Sequence, residues 1–430
     1  MSELKRGQEI QTQGLKTIRV IEKLGEGGQG IVYKVDYCGQ QMALKWYFQS
    51  KLKKPKKFFE NIKSNIDHGR PTDAFLWPVD ITEWVGGTFG YVMPLCPQGF
   101  DDFSEYLLAH VRFNSVHALV NAALNIVEGF GALHRAGYNY QDLNDGNFFV
   151  NFKTGDVLIC DNDNVMGHGY SSGIAGKCRY MAPEVVLGKK PDKQTDRYSL
   201  AVVLFLLLLV NHPLEGKATC PPCMTEELEK KYYGTDPVFI FDPINKTNIP
   251  IQGIHKNAIS KWPIFPQYIR DAFISAFSSE QLRAEKPRTM ESEWLKTLIR
   301  LRSEIILCGC GNEIFADPTK PAKCDNCGKQ FVIPAYLKFK KMNVPMYPTV
   351  NLYSCHTIAG SEDFKMPTAE VIVSKNNPGS MGIRNISDIT WYVTGVDGKT
   401  VPKGKGEVIK IASGLQINFG KNLIAEIIGN

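Results

Sequence analysis

The residues that could do chemistry are concentrated between Tyr138 and Asp163. Asp142 is followed five residues later by Asn147, and two short apolar runs joined by a Thr-Gly-Asp turn then lead to Asp161. This order indicates a loop, a β-hairpin and a second loop. Hard oxygen ligands of this kind suit Mg²⁺ together with phosphate oxygens. The stretch therefore predicts a metal-binding turn, and an acidic hairpin on another fold is the alternative.

A glycine-rich segment lies between two predicted strands nearer the N-terminus. Gly25, Gly27 and Gly30 satisfy the pattern G-x-G-x-x-G, with Gly28 beside them. The pattern alone is weak because dinucleotide-binding folds share it. A dinucleotide site needs a helix after the glycines, whereas here a second alternating strand follows, and then a third strand that carries Lys45. Glycine suits such a loop because its backbone can approach phosphate closely.

Taken together, these segments resemble the catalytic core of the eukaryotic-like serine/threonine protein kinase superfamily, over about residues 15 to 300. In that family an aspartate accepts the proton of the substrate hydroxyl, an asparagine and a second aspartate hold Mg²⁺, and a strand lysine binds the ATP phosphates. The resemblance implies these roles, in that order, for Asp142, Asn147, Asp161 and Lys45.

The resemblance also implies an ATP pocket. Glu60 is expected to hold the strand lysine from the following helix, and a solvated helix acid is the alternative. Met93 is expected to border the adenine, or else to be simple core. The backbone near Leu95 is expected to bond the base. The cofactor-binding residues implied in this way are Gly25, Gly27, Gly28, Gly30, Val32, Ala43, Lys45, Glu60, Met93 and Leu95.

Several positions depart from the family pattern. Tyr140 and Gln141 replace the His-Arg pair, so control by phosphorylation of the activation loop is not expected. Asp163 replaces a glycine and adds a carboxylate that could share the Mg²⁺. Asn144 replaces the lysine that stabilises the transferring phosphoryl group. We hypothesise that Lys177 supplies the missing cation as a catalytic residue, and a surface lysine is the alternative.

Three further residues match architectural positions of the family. The resemblance implies that Glu184 pairs with Arg288 and that Asp196 bonds the backbone of the catalytic loop.

The apolar run Ser199–Val210 is too short to span a bilayer. It is predicted to be a buried helix.

Two close cysteine pairs, separated by thirteen residues, predict a metal site. Four thiolates on glycine-containing turns can bind Zn²⁺ tetrahedrally in a closed structural site. The pattern resembles a zinc ribbon, and two disulfides or idle thiols are the alternative. The pair Cys220 and Cys223 is not expected to bind metal, because a second pair is missing nearby. The predicted zinc ligands are Cys308, Cys310, Cys324 and Cys327.

The C-terminal region reads as short alternating strands separated by turns, which indicates an all-β sandwich. Its last strands resemble those of a forkhead-associated domain. The phosphothreonine-reading residues of that family are not evident, and Asn385 with Ser387 is the nearest match. A plain scaffold is therefore expected. The predicted strands are Ala369–Val373, Trp391–Val393, Val408–Ile411 and Leu415–Phe419.

Composition narrows the remaining classes of function. Of the 430 residues, 43% are hydrophobic and 22% charged, as in ordinary globular protein. A net charge of +6 without a basic, aromatic-rich face argues against nucleic acid as a partner. The N-terminus lacks a signal peptide, and the cysteines fit a reducing compartment, so a cytoplasmic protein without membrane partners is expected.

The sequence thus predicts an α+β bilobal kinase fold followed by a zinc ribbon and a β-sandwich. The expected function is ATP- and Mg²⁺-dependent phosphorylation of Ser or Thr on a protein substrate, with autophosphorylation possible. The alternative is a nucleotide-binding pseudokinase scaffold. The arrangement resembles bacterial kinase-like proteins of the TerY-phosphorylation triad, which implies a metal-dependent phosphatase and a von Willebrand A protein as partners. The predicted domains are 1–97 (N-lobe), 98–303 (C-lobe), 304–336 (ribbon) and 344–430 (sandwich).

Overall fold

The structure is a computed structural model that describes residues 3–52, 54–167, 176–317, 321–377 and 379–429. It divides into two compact units, each assembled from separate stretches of the chain. The first unit comprises Met1–Phe113, Asn125–Ile259 and Phe273–Glu291, and the second comprises Asn114–Leu124, Ser260–Ala272 and Ser292–Asn430.

Strands and short helices alternate in the first part of the chain, and helices dominate the middle. The strands are β1 Glu9–Gln11, β2 Thr17–Glu26, β3 Gly30–Tyr37, β4 Gln40–Tyr47, β5 Asp80–Ile81, β6 Gly90–Pro94, β7 Asp101–Asp102, β8 Tyr138–Tyr140, β9 Phe148–Val150, β10 Val157–Ile159 and β11 Val165–Gly167. The helices are α1 Pro55–His68, α2 Phe103–Leu107, α3 Val116–Arg135, α4 Pro183–Val186, α5 Lys193–Leu209, α6 Glu226–Lys230, α7 Lys256–Lys261, α8 Gln267–Ala276, α9 Ser279–Leu282 and α10 Glu291–Ser303.

The N-terminal strands form an antiparallel sheet of six strands in the order β1-β2-β3-β4-β6-β5. Along β3, fully buried residues alternate with partly exposed ones, as a strand with one face on the core requires. Gly30 must be glycine for a structural reason, because a Cβ there would lie 2.1 Å from the backbone oxygen of Trp46 on β4. The glycine loop is thus closed tightly against the strand that carries Lys45.

The predicted hairpin and buried helix of the first unit are both present. Strands β9 and β10 pair antiparallel, and Gly155 in their turn has φ 81°, which glycine adopts without strain. Helix α5 begins with a capping box between Asp192 and Thr195. It is buried on every face from Tyr198 to Leu209, which explains its continuous apolar sequence.

Helix α3 carries apolar residues at helical spacing. Among the described residues it alone is long and apolar enough to cross a membrane, judged by length and composition. Burial inside the structure accounts for 67% of its apolar window. A helix in a protein core shows burial of this kind.

The second unit contains the C-terminal strands and one further helix. These elements are β12 Ile305–Leu307, β13 Glu313–Phe315, β14 Ala322–Lys323, β15 Gln330–Phe331, β16 Ala335–Lys338, β17 Asn343–Pro345, β18 Asn351–Tyr353, α11 Ser354–Thr357, β19 Pro367–Val373, β20 Met381–Asn385, β21 Trp391–Thr394, β22 Thr400–Lys403, β23 Val408–Lys410, β24 Gln416–Asn418 and β25 Ile424–Gly429. They form a sheet in the order β17-β16-β25-β24-β21-β22 and a second sheet in the order β18-β19-β20-β23.

The predicted boundary between ribbon and sandwich is wrong. Ala335, assigned to the ribbon, begins β16, which pairs antiparallel with the last strand β25. Ile306 and Cys324 of the cysteine-rich segment lie in the same cluster of buried residues as Trp391 of the sandwich. A segment of about thirty residues cannot bury a core of its own. It therefore shares the core of the sandwich.

Candidate active site

The side chain of Lys45 is the centre of the candidate site. Its ammonium lies 3.1 Å from Oδ1 of Asp161 and 2.9 Å from Oδ2 of Asp163. It also donates to Oε1 of Gln29 in the glycine loop, at 3.4 Å. Burial alone would lower the pKa of Lys45, but the two carboxylates raise it above its ordinary value. The lysine is therefore a fixed, buried cation.

Asp163 is the most enclosed carboxylate of the site, with a side chain that is 0% exposed. Besides Lys45, it accepts from the hydroxyl of Tyr47 at 2.5 Å and from that of Tyr91 at 3.4 Å. Its oxygens are thus occupied by protein donors and closed to solvent. This arrangement corrects the expectation that Asp163 shares a Mg²⁺, since a metal ligand needs a free lone pair and an open approach.

Glu60 does not have the predicted role either. The buried face of α1 is formed by Phe59, Ile62 and Asn65. Glu60 lies off this face and is exposed, and the ion pairs of Lys45 are made with other acids. The expectation that Glu60 holds the lysine is therefore corrected. The helical spacing of the apolar residues around it was the signal that could have excluded it.

The catalytic loop is held in shape by its own amides. The backbone N–H of Asn144 donates to Oδ1 of Asn147 at 2.6 Å, and the Asn144 side chain caps Gly146 in return at 3.1 Å. The side-chain nitrogen of Asn144 also reaches the backbone oxygen of Asp142 at 3.0 Å. Asn147 Oδ1 keeps a second lone pair that could face a cation. The backbone oxygen of Asn147 accepts from Cys160, next to Asp161, at 2.9 Å.

Burial raises the pKa of Asp142 above its ordinary value. A hydrogen bond from the backbone of Lys177 opposes the shift without cancelling it. A Cβ on Gly176 would lie 3.0 Å from Oδ1 of Asp142, so a side chain at this position would require the carboxylate to shift. A carboxylate with a raised pKa is a better proton acceptor than a free one.

Tyr140 takes over contacts at the position where the family has histidine. Its hydroxyl donates to the backbone oxygens of Cys160 and Asp161, the latter at 3.1 Å. Its backbone N–H donates to Oδ2 of Asp196 at 2.5 Å, which confirms the predicted contact of that residue with the loop. His134 bridges Asp196 and Glu291 at 3.0 and 2.7 Å. The loop is thus anchored without the usual His-Arg pair.

Lys177 lies beside the loop, as the hypothesis about it requires. Its ammonium is 2.9 Å from Oδ1 of Asp145, and its side chain remains 58% exposed. In this arrangement the cation contacts an acid three residues after Asp142. The high exposure leaves the side chain free to turn.

The remaining residues predicted to bind nucleotide line one side of the N-terminal sheet. Ala43 on β4 pairs with Met93 on β6, and both belong to a buried cluster against which Val32 and Leu95 pack. The other glycines of the loop have open space where a side chain would be. These are Gly25, Gly27 and Gly28.

Four cysteine sulfurs of the second unit come together. The distances are 3.6 Å from Cys308 to Cys327 and 3.7 Å from Cys310 to Cys324, and all four sulfurs lie within 4.8 Å of one another. Tetrahedral ligands at a Zn–S distance of about 2.3 Å stand about 3.8 Å apart, so the donor set is compatible with zinc. The separations are also far longer than a disulfide bond, and all four thiols are free.

Sequence reasoning missed the two tyrosines and the glutamine that surround the lysine. Tyr47 and Tyr91 stand on strands, where aromatic residues usually pack a core. Gln29 lies among the loop glycines without a pattern of its own. Only the replacement of glycine by Asp163 carried a signal, because an extra acid beside a buried lysine must find a partner.

Comparisons with known proteins agree with this geometry. The family described as "Protein kinase domain" matches residues 18–234. Serine/threonine-protein kinase STY46 of Arabidopsis thaliana is 24% identical over 222 residues, covering 49% of this chain and 36% of the relative. Protein kinase C delta type of Mus musculus is 32% identical over 109 residues, covering 24% and 16%. Serine/threonine-protein kinase/endoribonuclease ire-1 of Caenorhabditis elegans is 21% identical over 319 residues, covering 69% and 32%.

The matched region makes up half of the chain, which therefore belongs to the protein kinase domain family. Catalytic members of this family use ATP and Mg²⁺. The chain spans 16 to 36% of the length of these relatives.

Proposed function

We propose that the protein is a serine/threonine protein kinase that transfers the γ-phosphoryl group of ATP to a hydroxyl of a protein substrate. The observation that carries the proposal is the 3.1 Å contact between the Lys45 ammonium and Oδ1 of Asp161. It joins the strand lysine to the acid after the hairpin, as phosphate and metal binding at one place require.

The roles follow from the positions of the side chains. Lys45 binds the α and β phosphates, and the glycine loop from Gly25 to Gly30 covers them. Asp161 and Asn147 hold Mg²⁺, which neutralises charge on the phosphoryl oxygens when bound. Asp161 suits this role because its side chain is 41% exposed, in contrast to Asp163. Asn147 suits it through the free lone pair of its Oδ1.

Asp142 is the base for the substrate hydroxyl. The burial that raises its pKa supports proton acceptance. A small cleft beside it is lined by Met181, Ala182 and Val185. Ser171 and Ser172 are candidate acceptors for self-phosphorylation, and both lie outside the described residues.

The alternative function is a nucleotide-binding pseudokinase that serves as a scaffold. Asn144 favours it, because this residue stands in place of the lysine that stabilises the transferring phosphoryl group. The intact set of Lys45, Asp142, Asn147 and Asp161 favours catalysis. Positioning and metal binding account for most of phosphoryl transfer, so catalysis is the better supported function.

Transfer of labelled γ-phosphate from Mg-ATP tests the proposal. The acceptors are the protein itself and a generic basic protein, and the variants are Asp142→Asn and Lys45→Met. We expect transfer by the wild type and none by the variants. Silence of the wild type, with Mg-ATP still raising its melting temperature, would establish the scaffold instead.

We infer that the four-cysteine cluster holds structural Zn²⁺. The sulfur separations and the free thiols support this assignment. The amide nitrogens of Asn312 and Asn326 each lie 3.6 Å from a cluster sulfur, where they stabilise thiolate charge. Metal analysis of protein purified without added zinc tests it, with one Zn²⁺ per chain expected. Metal-free but folded protein would refute it.

The sandwich is proposed to be a forkhead-associated-like scaffold domain. Asn385 supports a structural role over phosphopeptide binding, because its amide is occupied by the backbone oxygens of Ile389 and Lys403 at 2.8 and 3.1 Å. Its oxygen accepts from Ser387. Absence of phosphothreonine-peptide binding in a fluorescence titration is expected.

The partners and location rest on the family resemblance. They are a protein substrate, a metal-dependent phosphatase and a von Willebrand A protein, in the cytoplasm, without membrane or nucleic acid. Co-purification of the full chain with either named partner, each expressed from the same genome, tests this proposal. If neither partner co-purifies with the chain, the family resemblance no longer supports the proposal about partners.

A further inference from the structure

The carboxylate of Asp163 is enclosed by three donors from two strands of the sheet, since Lys45 and Tyr47 lie on β4 and Tyr91 lies on β6. Lys45 contacts both of its oxygens, at 3.1 and 2.9 Å. The hydroxyls of Tyr47 and Tyr91 complete the set at 2.5 and 3.4 Å. A buried charge is costly unless it is paired and hydrogen-bonded, and here every requirement is met.

The tyrosines act on Asp163 as neutral donors. Burial, reinforced by the charge of Asp163, raises the pKa of Tyr47 and Tyr91 far above the ordinary value. Each hydroxyl therefore keeps its proton and points it at a carboxylate oxygen. The rings also support each other, since their centroids are 6.1 Å apart and that of Tyr47 lies 5.2 Å from Phe58. The position of the carboxylate is thus fixed by packing as well as by hydrogen bonds.

The two acids that contact Lys45 differ in accessibility. The side chain of Asp161 is 41% exposed, whereas that of Asp163 is 0% exposed. Under the proposed function Asp161 turns its oxygens to Mg²⁺. Lys45 then needs a second acid that stays with it throughout. Of the two acids that contact Lys45, Asp163 is the one whose buried position lets it keep this contact.

Helix α1 contacts the same turn by a different route. The side-chain amides of Asn61 and Asn65 both donate to the backbone oxygen of Val165, at 3.0 and 3.1 Å. Val165 follows Asp163 by two residues. The helix is thus docked onto the turn through amides, while its acid Glu60 faces solvent.

We propose that Asp163, held by Tyr47 and Tyr91, is the residue that positions Lys45 for nucleotide binding, in the role that a helix glutamate has elsewhere in the family. Asp163 is a positioning residue, because its carboxylate acts through the lysine, whose ammonium it contacts. The inference rests on the proposed function for its kinetic test. Its direct consequence is that the lysine is set by the turn after the hairpin and not by α1.

The experiment compares substitutions in the full chain. Asp163→Asn keeps the size and removes the charge, and Asp163→Gly restores the residue that the family has. For both we expect KM for Mg-ATP to rise by at least about tenfold, since the lysine loses its permanent partner. The double variant Tyr47→Phe and Tyr91→Phe should raise KM by a smaller factor. Glu60→Gln should leave KM and kcat as they are, as should Asp67→Asn, an exposed acid on the same helix.

If Asp163 had a purely structural role, its substitution would lower the melting temperature but would not raise KM selectively over its effect on kcat. Melting temperatures of all variants are therefore measured beside the kinetics. The proposal is overturned if Glu60→Gln raises KM as much as Asp163→Asn does, or if Asp163→Gly leaves KM at the wild-type value in folded protein.

Failure of the proposed function gives a different result. In that case the wild type transfers no phosphoryl group to any acceptor. The role of Asp163 in positioning Lys45 is then tested by measuring the dissociation constant of a fluorescent N-methylanthraniloyl ATP in the presence of Mg²⁺. Weaker binding by Asp163→Asn with unchanged binding by Glu60→Gln supports it, and the reverse order refutes it.

Discussion

The guanidinium of Arg288 binds the carboxylate of Glu184 through two nitrogen atoms, at 2.6 and 2.8 Å. This contact confirms the predicted ion pair, which joins two residues more than a hundred positions apart in sequence. The Arg288 side chain is 3% exposed, so water cannot replace a lost partner.

Replacing Glu184 with alanine leaves Arg288 as a buried and uncompensated charge. We expect the free energy of unfolding to fall by about 3 kcal/mol, measured by chemical denaturation. The matched control is Glu280→Ala, which breaks the exposed pair with Lys286 and should change stability little. Equal effects of the two substitutions would contradict the reasoning from burial.

His356 of the second unit should make stability depend on pH. Its Nδ1 accepts from the backbone N–H of Tyr353 at 2.9 Å, and its Nε2 lies 2.9 Å from the hydroxyl of Ser303, so the neutral ring fits the site. Burial, and then the charge of Arg302, lower its pKa to about 3.

Because the unfolded histidine has its ordinary pKa, the unfolded state binds more protons below about pH 6.5. The contribution of His356 to stability is therefore complete above that pH and falls as the pH decreases, by about 2 kcal/mol at pH 5. His356→Gln should flatten this decrease, as followed by calorimetry between pH 8 and pH 5. His110→Gln, at an exposed histidine, serves as the control and should keep the wild-type slope.

If the four-cysteine cluster holds Zn²⁺ as proposed, removal of the metal should unfold more than the cysteine-rich segment. Cys308 and Cys324 belong to the same buried cluster as Trp391, so loss of zinc exposes the core of the sandwich as well. After chelation we expect hydrogen exchange to rise along β16 and β25. Binding of Mg-ATP should persist, because Lys45 belongs to the first unit.

Cys310→Ser should reproduce the effect of the chelator, and Cys220→Ser, at an exposed cysteine, should not. Simultaneous loss of ATP binding and of the sandwich would contradict this expectation.

Lys177→Thr tests the hypothesis that this lysine replaces the missing cation of the catalytic loop. We expect kcat to fall by about tenfold or more, since one cation at the transferring group is lost. Asn144→Lys in the same chain should restore activity, because it returns a cation at the usual position. Lys189→Thr, on a neighbouring exposed lysine, is the control. Full activity of Lys177→Thr would end the hypothesis.

The sequence was sufficient for elements whose signals are local. The apolar run of α5 and the turn at Gly155 predicted a buried helix and a hairpin, and both are present. The resemblance to the family predicted two contacts, that of Glu184 with Arg288 and that of Asp196 with the catalytic loop. Both could be predicted because these residue types occur in the same order as in the family. The alternation of apolar residues likewise predicted the C-terminal strands, although the predicted sandwich began at residue 344 and strand β16 begins at Ala335.

The incorrect predictions concern contacts that form only in the folded structure, between residues that are distant in sequence. Asp163 was assigned to metal because an acid near other acids is a natural ligand, and nothing local shows that two tyrosine hydroxyls enclose it. Glu60 was chosen by spacing alone, although Phe59 and Ile62 define a buried face that leaves it outside. The strand beginning at Ala335 was missed because its partner, β25, lies at the far end of the chain.

The start of α3 depends on a residue made much later in synthesis. The backbone N–H of His117, in the first turn, donates to Oε2 of Glu313 at 2.9 Å, and its ring lies 3.1 Å from Oε1. The two residues are 196 positions apart. A carboxylate at this place satisfies an otherwise unpaired N–H and favours the positive end of the helix dipole. On the ribosome, the N–H of His117 must therefore wait for this partner until β13 has emerged, and a chain cut at residue 303 never receives it. The Ser115 hydroxyl, which accepts from the N–H of Ala118, is the cap that is available earlier.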